Sequence, residues 1–243
     1  VSCFPESRCL LNALEGKYIL PARGGDPIRD PDVYPSGRGM YAFDPRGVPT
    51  IAAETRGKRA AELLIASYVK AHNTMPETIG MVLWGFETMK TGGDTIAAIL
   101  FLLGVRIKHS RNAWFKELEL IPLVELNRPR IDVVITICGI FRDTFGTHID
   151  LLNRAFEMAA GCDESGEHNF VKKHWQEQRE TLQEFALARI FGPSPTEYAT
   201  SMRTLVETGS WQREEDLVKQ YDDSMSYAYF RGKVQKHVQA FAQ

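Results

Sequence analysis

Four stretches carry the residue types best suited to chemistry. The first is Trp-Gly-Phe-Glu-Thr-Met-Lys-Thr-Gly-Gly-Asp at 84–94. It follows a nearly continuous apolar run, 78–85, that reads as a buried central strand. Open α/β sheets bind ligands just past the carboxyl ends of such strands. There Glu87, Lys90 and Thr91 would point into a crevice, and Gly92 and Gly93 would let backbone approach closely. The N–H groups of a following helix could receive a carboxylate or a phosphate. A plain strand-to-helix connection capped by Asp94 accounts for the same residues. Asp94 would repel an anion, and the phosphate-loop patterns G-x-G-x-x-G and G-x-x-x-x-G-K-[ST] are absent.

The second stretch is Ser-Gly-Arg-Gly-Met-Tyr-Ala-Phe-Asp-Pro at 36–45. Arg38 could clamp an acidic group and Tyr41 could stack on a flat one; a turn-rich loop whose aromatics plug the surface fits as well. The third is Cys-Gly-Ile-Phe-Arg-Asp-Thr-Phe at 138–145, ending an apolar, β-branched run at 131–138. If the two strands are neighbours, Arg142 and Asp143 stand beside the Glu87 loop. Such a pair more often forms a salt bridge capping the sheet. The fourth holds His168 and His174, six positions apart and so on different helical faces, unlike the zinc pattern H-E-x-x-H. A role for one histidine alone stays open. Cys3, Cys9, Cys138 and Cys162 show no C-x-x-C spacing, and Cys138 reads as a buried free thiol. No G-x-S-x-G elbow occurs.

The elements that must position these residues follow from periodicity. Residues 1–49 are closely punctuated by Gly and Pro and predict an extended lead-in with little regular structure. Helical spacing of Ala61, Leu64, Tyr68 and Ala71 predicts a helix of about 20 residues after Thr50. Asp94 and Gly104 suit the two ends of the next helix. Residues 105–108 read as a second strand, 118–121 as an edge strand and 131–138 as a third, central one. Thr147-x-x-Asp150 resembles a capping box for a helix ending at Gly161. Strand and helix alternating in this way predict an α/β fold over 50–161, a Rossmann-like parallel sheet with flanking helices. Residues 162–243 read as an α-helical segment packing on it. Ser-Pro-Thr-Glu at 194–197 gives a strong helix start, and Gly209 a helix end.

A formal net charge of -2 leaves no footprint of a nucleic-acid binder or an anionic-membrane binder. The longest apolar stretch, 96–105, is too short to cross a bilayer. The N-terminus has neither an initiator Met nor a secretory signal, and reads as a cut inside a longer chain. Cysteine usage suggests a reducing, cytoplasmic compartment.

Taken in order, many short stretches resemble one family, the large subunits of cobaltochelatase and magnesium chelatase. They include Leu-Glu-Gly-Lys-Tyr at 14–18, Gly-Gly-Asp-Pro-Ile-Arg at 24–29 and Pro-Ser-Gly-Arg at 35–38. Further on come Val-Leu-Trp-Gly at 82–85, Thr-Gly-Gly at 91–93, Leu-Gly-Val-Arg at 103–106 and Leu-Ile-Pro-Leu at 120–123. Arg-Pro-Arg-Ile-Asp-Val-Val at 128–134, Gly-Ile-Phe-Arg-Asp at 139–143, Asn-Phe-Val-Lys-Lys-His at 169–174 and Gly-Ser-Trp at 209–211 complete the match.

The resemblance implies a central segment of a tetrapyrrole-binding subunit that hosts insertion of Co2+ or Mg2+. ATP would be hydrolysed by AAA+ and integrin-like partner subunits, and the remainder of the large subunit would be a further partner. Residues 86–94 and Arg-Ile-Phe-Gly at 189–192 are closer to the cobalt type; 24–29 and 169–174 lean to magnesium. Metal entry expels two pyrrole protons, which a carboxylate or histidine can take. The resemblance thus makes Glu87, Asp143 and His174 candidates for that role. Arg38 and Arg142 could pair with the ring's acidic side chains. Tyr41, Trp84, Thr91, Gly92 and Gly93 could line its flat face.

Overall fold

The chain divides between Val48 and Pro49 into two units. The computed structural model describes residues 4–24, 33–41, 44–108, 116–198, 200 and 202–241. In the smaller unit α1 (Phe4–Leu14) precedes β1 (Ala22–Arg23), which pairs in parallel with β2 (Gly39–Tyr41). The helix departs from the expected extended lead-in. Pro5 lies in its first turn, where proline is tolerated, and no further Gly or Pro occurs before Gly16. The dense Gly and Pro punctuation starts only beyond it.

The larger unit opens with α2 (Ile51–His72), capped by Thr50 Oγ1, which accepts from Ala53 N–H at 3.1 Å. Then follow β3 (Thr78–Leu83), α3 (Gly85–Thr91) and α4 (Asp94–Leu103). Next come β4 (Val105–Lys108), β5 (Glu117–Leu120), α5 (Leu123–Leu126), β6 (Asp132–Ile137) and α6 (Gly139–Thr144). The chain continues with α7 (Gly146–Gly161), α8 (Phe170–Leu182), β7 (Ile190–Gly192) and α9 (Met202–Thr208). It ends with α10 (Glu214–Met225), β8 (Tyr227–Phe230), β9 (Lys233–Lys236) and α11 (Val238–Phe241).

The main sheet has the order β3-β6-β7-β8-β9. Its first three strands are parallel, with Thr78 opposite Asp132 and Leu83 opposite Ile137; β8 and β9 are antiparallel additions. The expected α/β layer with flanking helices is present. Three features differ from the sequence reading. First, β4 leaves the sheet and pairs with β5 as a separate hairpin. Its alternation explains this: Val105 and Ile107 are buried while Arg106 and Lys108 face water, the pattern of a strand covered on one side only. Second, β3 is therefore an edge strand and not a central one, with Thr78, Gly80 and Val82 exposed while Ile79 and Leu83 are buried. Third, the C-terminal part is not wholly helical, since β7, β8 and β9 extend the sheet.

Two helix starts also moved. Residues 195–196 form a turn closed by Ser194 Oγ, and α9 begins only at Met202. Phe145, not Thr147, precedes α7, so the Thr147–Asp150 box does not form.

The core lies between α4 and the sheet. Seven of the ten residues of α4 are buried, and α2 lies across it. Gly57 permits that crossing, since a Cβ there would stand 2.5 Å from the Asp94 carbonyl oxygen. The carbonyl end of α4 is closed by two arginines from the Arg-Pro-Arg stretch. Arg128 donates to the carbonyls of Phe101 and Leu102, and Arg130 to those of Leu103 and Gly104. Arg130, wholly buried, also holds both oxygens of Glu164 at 2.8 Å. Cationic donors at a helix C-terminus satisfy orphan carbonyls and oppose the dipole.

Candidate functional site at the carboxyl edge of the sheet

The carboxyl ends of β3, β6 and β7 each run into a turn, and the three turns meet. Gly85 sits so close to α6 that a Cβ would lie 2.5 Å from Ile140 Cγ2. A Cβ at Gly139 would lie 2.6 Å from Tyr198 Cα, and Gly139 N–H donates to the Tyr198 carbonyl at 3.0 Å. Small residues at these strand ends are what bring Glu87, Asp143 and Tyr198 to one edge.

Thr91 organises the first turn. Its hydroxyl donates to the Glu87 carbonyl at 3.0 Å and accepts from the N–H groups of Gly93 and Asp94, both at 3.2 Å. Gly92 and Gly93 take φ of +72° and +97°, conformations that L side chains rarely adopt. The Glu87 carboxylate accepts from the Thr95 hydroxyl at 3.4 Å and shares the Thr91 hydroxyl proton, at 3.3 Å, with its own carbonyl. Beside it Trp84 and Phe86 are 60% and 70% exposed. Asp94 is the first residue of α4, not its cap, and its charge is answered by Arg56 of α2.

In the second turn Arg142 Nε donates to Asp143 at 2.6 Å, and the guanidinium holds that carboxyl below its usual range. Arg142 Nη1 donates to the carbonyls of Ser194 and Glu197 at 2.7 and 2.9 Å, and the group lies over the Tyr198 ring at 5.3 Å. Asp143 in turn raises the Tyr198 hydroxyl. The hydrogen-bonding of Arg142 thus ties the turn after β7 to α6. Cys138, half-buried, caps α6 through its sulfur.

The residues singled out from sequence do not all gather here. Trp84, Glu87, Thr91, Gly92, Gly93, Arg142 and Asp143 share the carboxyl edge. His174 lies at the opposite, amino edge, against Asp132 and Glu77. A strand of six residues separates the two edges, roughly 20 Å at about 3.3 Å per residue. Arg38 and Tyr41 belong to the smaller unit. Among the described residues no three His, Cys, Asp or Glu side chains are grouped to hold a metal ion.

Four contributors had no sequence signal: Arg56, Thr95, Tyr198 and Lys116. Lys116 donates to the Pro49 carbonyl at 2.9 Å, next to Thr50, whose N–H donates to Gly92 O at 3.0 Å. Burial pulls this lysine down to about 8. Arg56, Tyr198 and Lys116 reach the edge only through pairing or packing across tens of residues, whereas Thr95 lies eight positions after Glu87.

The family model described as CobN/Magnesium Chelatase matches residues 2–243. The chain belongs to the CobN/magnesium chelatase family. An uncharacterised protein of Methanocaldococcus jannaschii is 42% identical over 232 residues, covering 91% of this chain and 19% of that protein. The chloroplastic magnesium-chelatase subunit ChlH of Oryza sativa subsp. indica is 41% identical over 222 residues, 89% of this chain and 16% of its own length. The solved catalytic subunit of cobaltochelatase from Mycobacterium tuberculosis superimposes with a TM-score of 0.82 at 34% identity, over 97% of this chain and 20% of that one. The chain therefore spans about a fifth of the length of these relatives.

Proposed function

We propose that this chain is the part of a metallochelatase large subunit that presents the carboxyl-edge surface to a tetrapyrrole. In this reading the subunit inserts Co2+ into a corrin precursor of the hydrogenobyrinic acid a,c-diamide type. AAA+ ATPase and integrin-like partners hydrolyse ATP, and the assembly works in the cytoplasm. One observation carries it: two exposed aromatics, Trp84 and Phe86, directly precede a carboxylate, Glu87, just past the end of β3. A flat apolar ring gains by covering such aromatics. Glu87 would take pyrrole protons as the metal enters, and ionised Asp143 would face the incoming cation. Gly92 and Gly93 would lie under the ring, Thr91 would hold their turn, and Arg142 would position the neighbouring one.

Magnesium insertion into protoporphyrin IX is the second reading. It is supported by the higher identity to the rice magnesium-chelatase subunit, 41% against 34% for the cobaltochelatase.

The test uses the full-length subunit with its partners and ATP. Glu87→Gln should abolish insertion while a Soret-band titration shows unchanged ring binding; normal insertion removes Glu87 from the mechanism. Offering each metal with each ring separates the two readings. Ring binding without insertion of either metal would make the protein a tetrapyrrole-binding module.

A further inference from the structure

Asp132, the first residue of β6, is buried at the amino edge of the sheet. Its carboxylate accepts from Arg189 Nε at 3.1 and 2.9 Å, from the N–H of Val133 at 2.9 Å and from His174 Nδ1 at 2.9 Å. Asp132 is thus fully engaged. Arg189 is not. It is 4% exposed, and Nη1 donates to the carbonyls of Ala186 and Ala188, both at 3.1 Å. Nη2 is buried with no hydrogen-bond partner. Arg189 lines a cavity of about 110 Å³ together with Thr78, His174 and Gln178, and Phe191 forms part of its apolar wall. Gln178 Oε1 is also buried without a partner. Two residues that each carry a buried, unanswered polar atom, Arg189 and Gln178, therefore line one small cavity.

The chemistry of these two groups defines what fits. Nη2 needs an acceptor, and a charged one forms the stronger bond. The carboxamide oxygen accepts, and the group donates instead if its oxygen and nitrogen are exchanged. At roughly 30 Å³ per water-sized group, the cavity admits about three or four heavy atoms. Only a small group is held wholly within it. Bicarbonate offers acceptor oxygens to Nη2 and its own O–H to Gln178; a small carboxylate offers two acceptors.

We propose that this cavity is a second binding site, distinct from the carboxyl edge, for a small planar oxyanion of the carboxylate or bicarbonate class, held by Arg189 Nη2 and the Gln178 carboxamide. The site stands whether or not the proposed tetrapyrrole surface does.

Isothermal titration of the full-length protein with sodium formate, and separately with sodium bicarbonate, against a chloride background of constant ionic strength tests it. Saturable binding of either probe at one site per chain is expected, and the stronger probe identifies the source. Gln178→Glu places a carboxylate within the same cavity, where it can pair with Nη2 in place of the ligand, and should weaken binding by about tenfold or more. Gln178→Leu, an uncharged second variant, should weaken it in the same direction. No saturable binding of either probe overturns the proposal. So does binding of undiminished strength in both variants, which would put the anion elsewhere.

Discussion

Arg56 of α2 grips the carboxylate of Asp94 with Nε at 2.9 Å and Nη2 at 2.8 Å, and Nη2 also donates to the Thr91 carbonyl at 2.6 Å. This fork changes the electrostatics of the Gly92-Gly93 turn. An acid at the start of α4 would by itself oppose any anionic group arriving there. Paired with Arg56 it no longer does, and the same guanidinium anchors the turn to α2.

Asp94→Asn should therefore loosen the turn more than it perturbs the fold. Both side chains are partly exposed, so the loss in unfolding free energy is small, about 0.5–1 kcal/mol. A double-mutant cycle with Arg56→Met measures the coupling. Strict additivity would show that the fork contributes nothing in solution.

Gly57→Ala sets two effects against each other. Alanine inside an exposed helix gains about 1 kcal/mol over glycine. Here the added Cβ would lie 2.5 Å from the Asp94 carbonyl and 2.7 Å from Ala97 Cβ. Forcing α2 from α4 costs about 1–3 kcal/mol, so thermal melting should show net destabilisation. A higher Tm would mean that the helices slide without cost.

Arg130→Met should be the most damaging of these changes. It removes the cation paired with the largely buried Glu164 and takes a donor from the carbonyls of Leu103, Gly104 and Ile121. Breaking one side of such a pair costs about 3–5 kcal/mol. Urea unfolding measures it; a loss below about 1 kcal/mol would show that water replaces the guanidinium at this helix end.

Two groups give stability opposite slopes with pH. His174 is held above its usual range, first by its hydrogen bond to Asp132 and further by Glu77, against desolvation and the charge of Arg189. A raised histidine stabilises fully below its unfolded value of about 6.5, and that contribution is lost as pH rises through the folded value. Lys116 is pulled down to about 8 by burial, partly offset by Glu54. Between that value and about 10.4 the unfolded chain binds more protons, so stability rises with pH. Unfolding free energies of His174→Gln and Lys116→Met, measured across both windows, should each lose one slope. A variant that keeps its slope clears that residue of the effect.

Much of the larger unit was legible in local sequence. The α2 periodicity after Thr50, the buried α4 ended by Gly104 at φ +69°, the Gly92-Gly93 turn and the β-branched run of β6 all follow from near neighbours. Helix pattern, left-handed glycines and strand propensity act within a turn or two, so a single chain segment displays them. The approach of the Glu87 and Arg142 turns was conditional on β3 and β6 being adjacent, which they are.

Tertiary structure alone decided the rest. A strand of three residues such as β7 has no readable period, yet its turn brings Tyr198 against Gly139. Strand direction decided that His174 and Glu87, both suited by type to take a proton, lie at opposite edges of one sheet. Side-chain type and spacing along the chain carry no record of which strand end a residue faces once the strands are paired. For the same reason the sequence made the Trp84–Asp94 stretch a candidate, while pairing with Arg56, 38 positions before Asp94, set its charge.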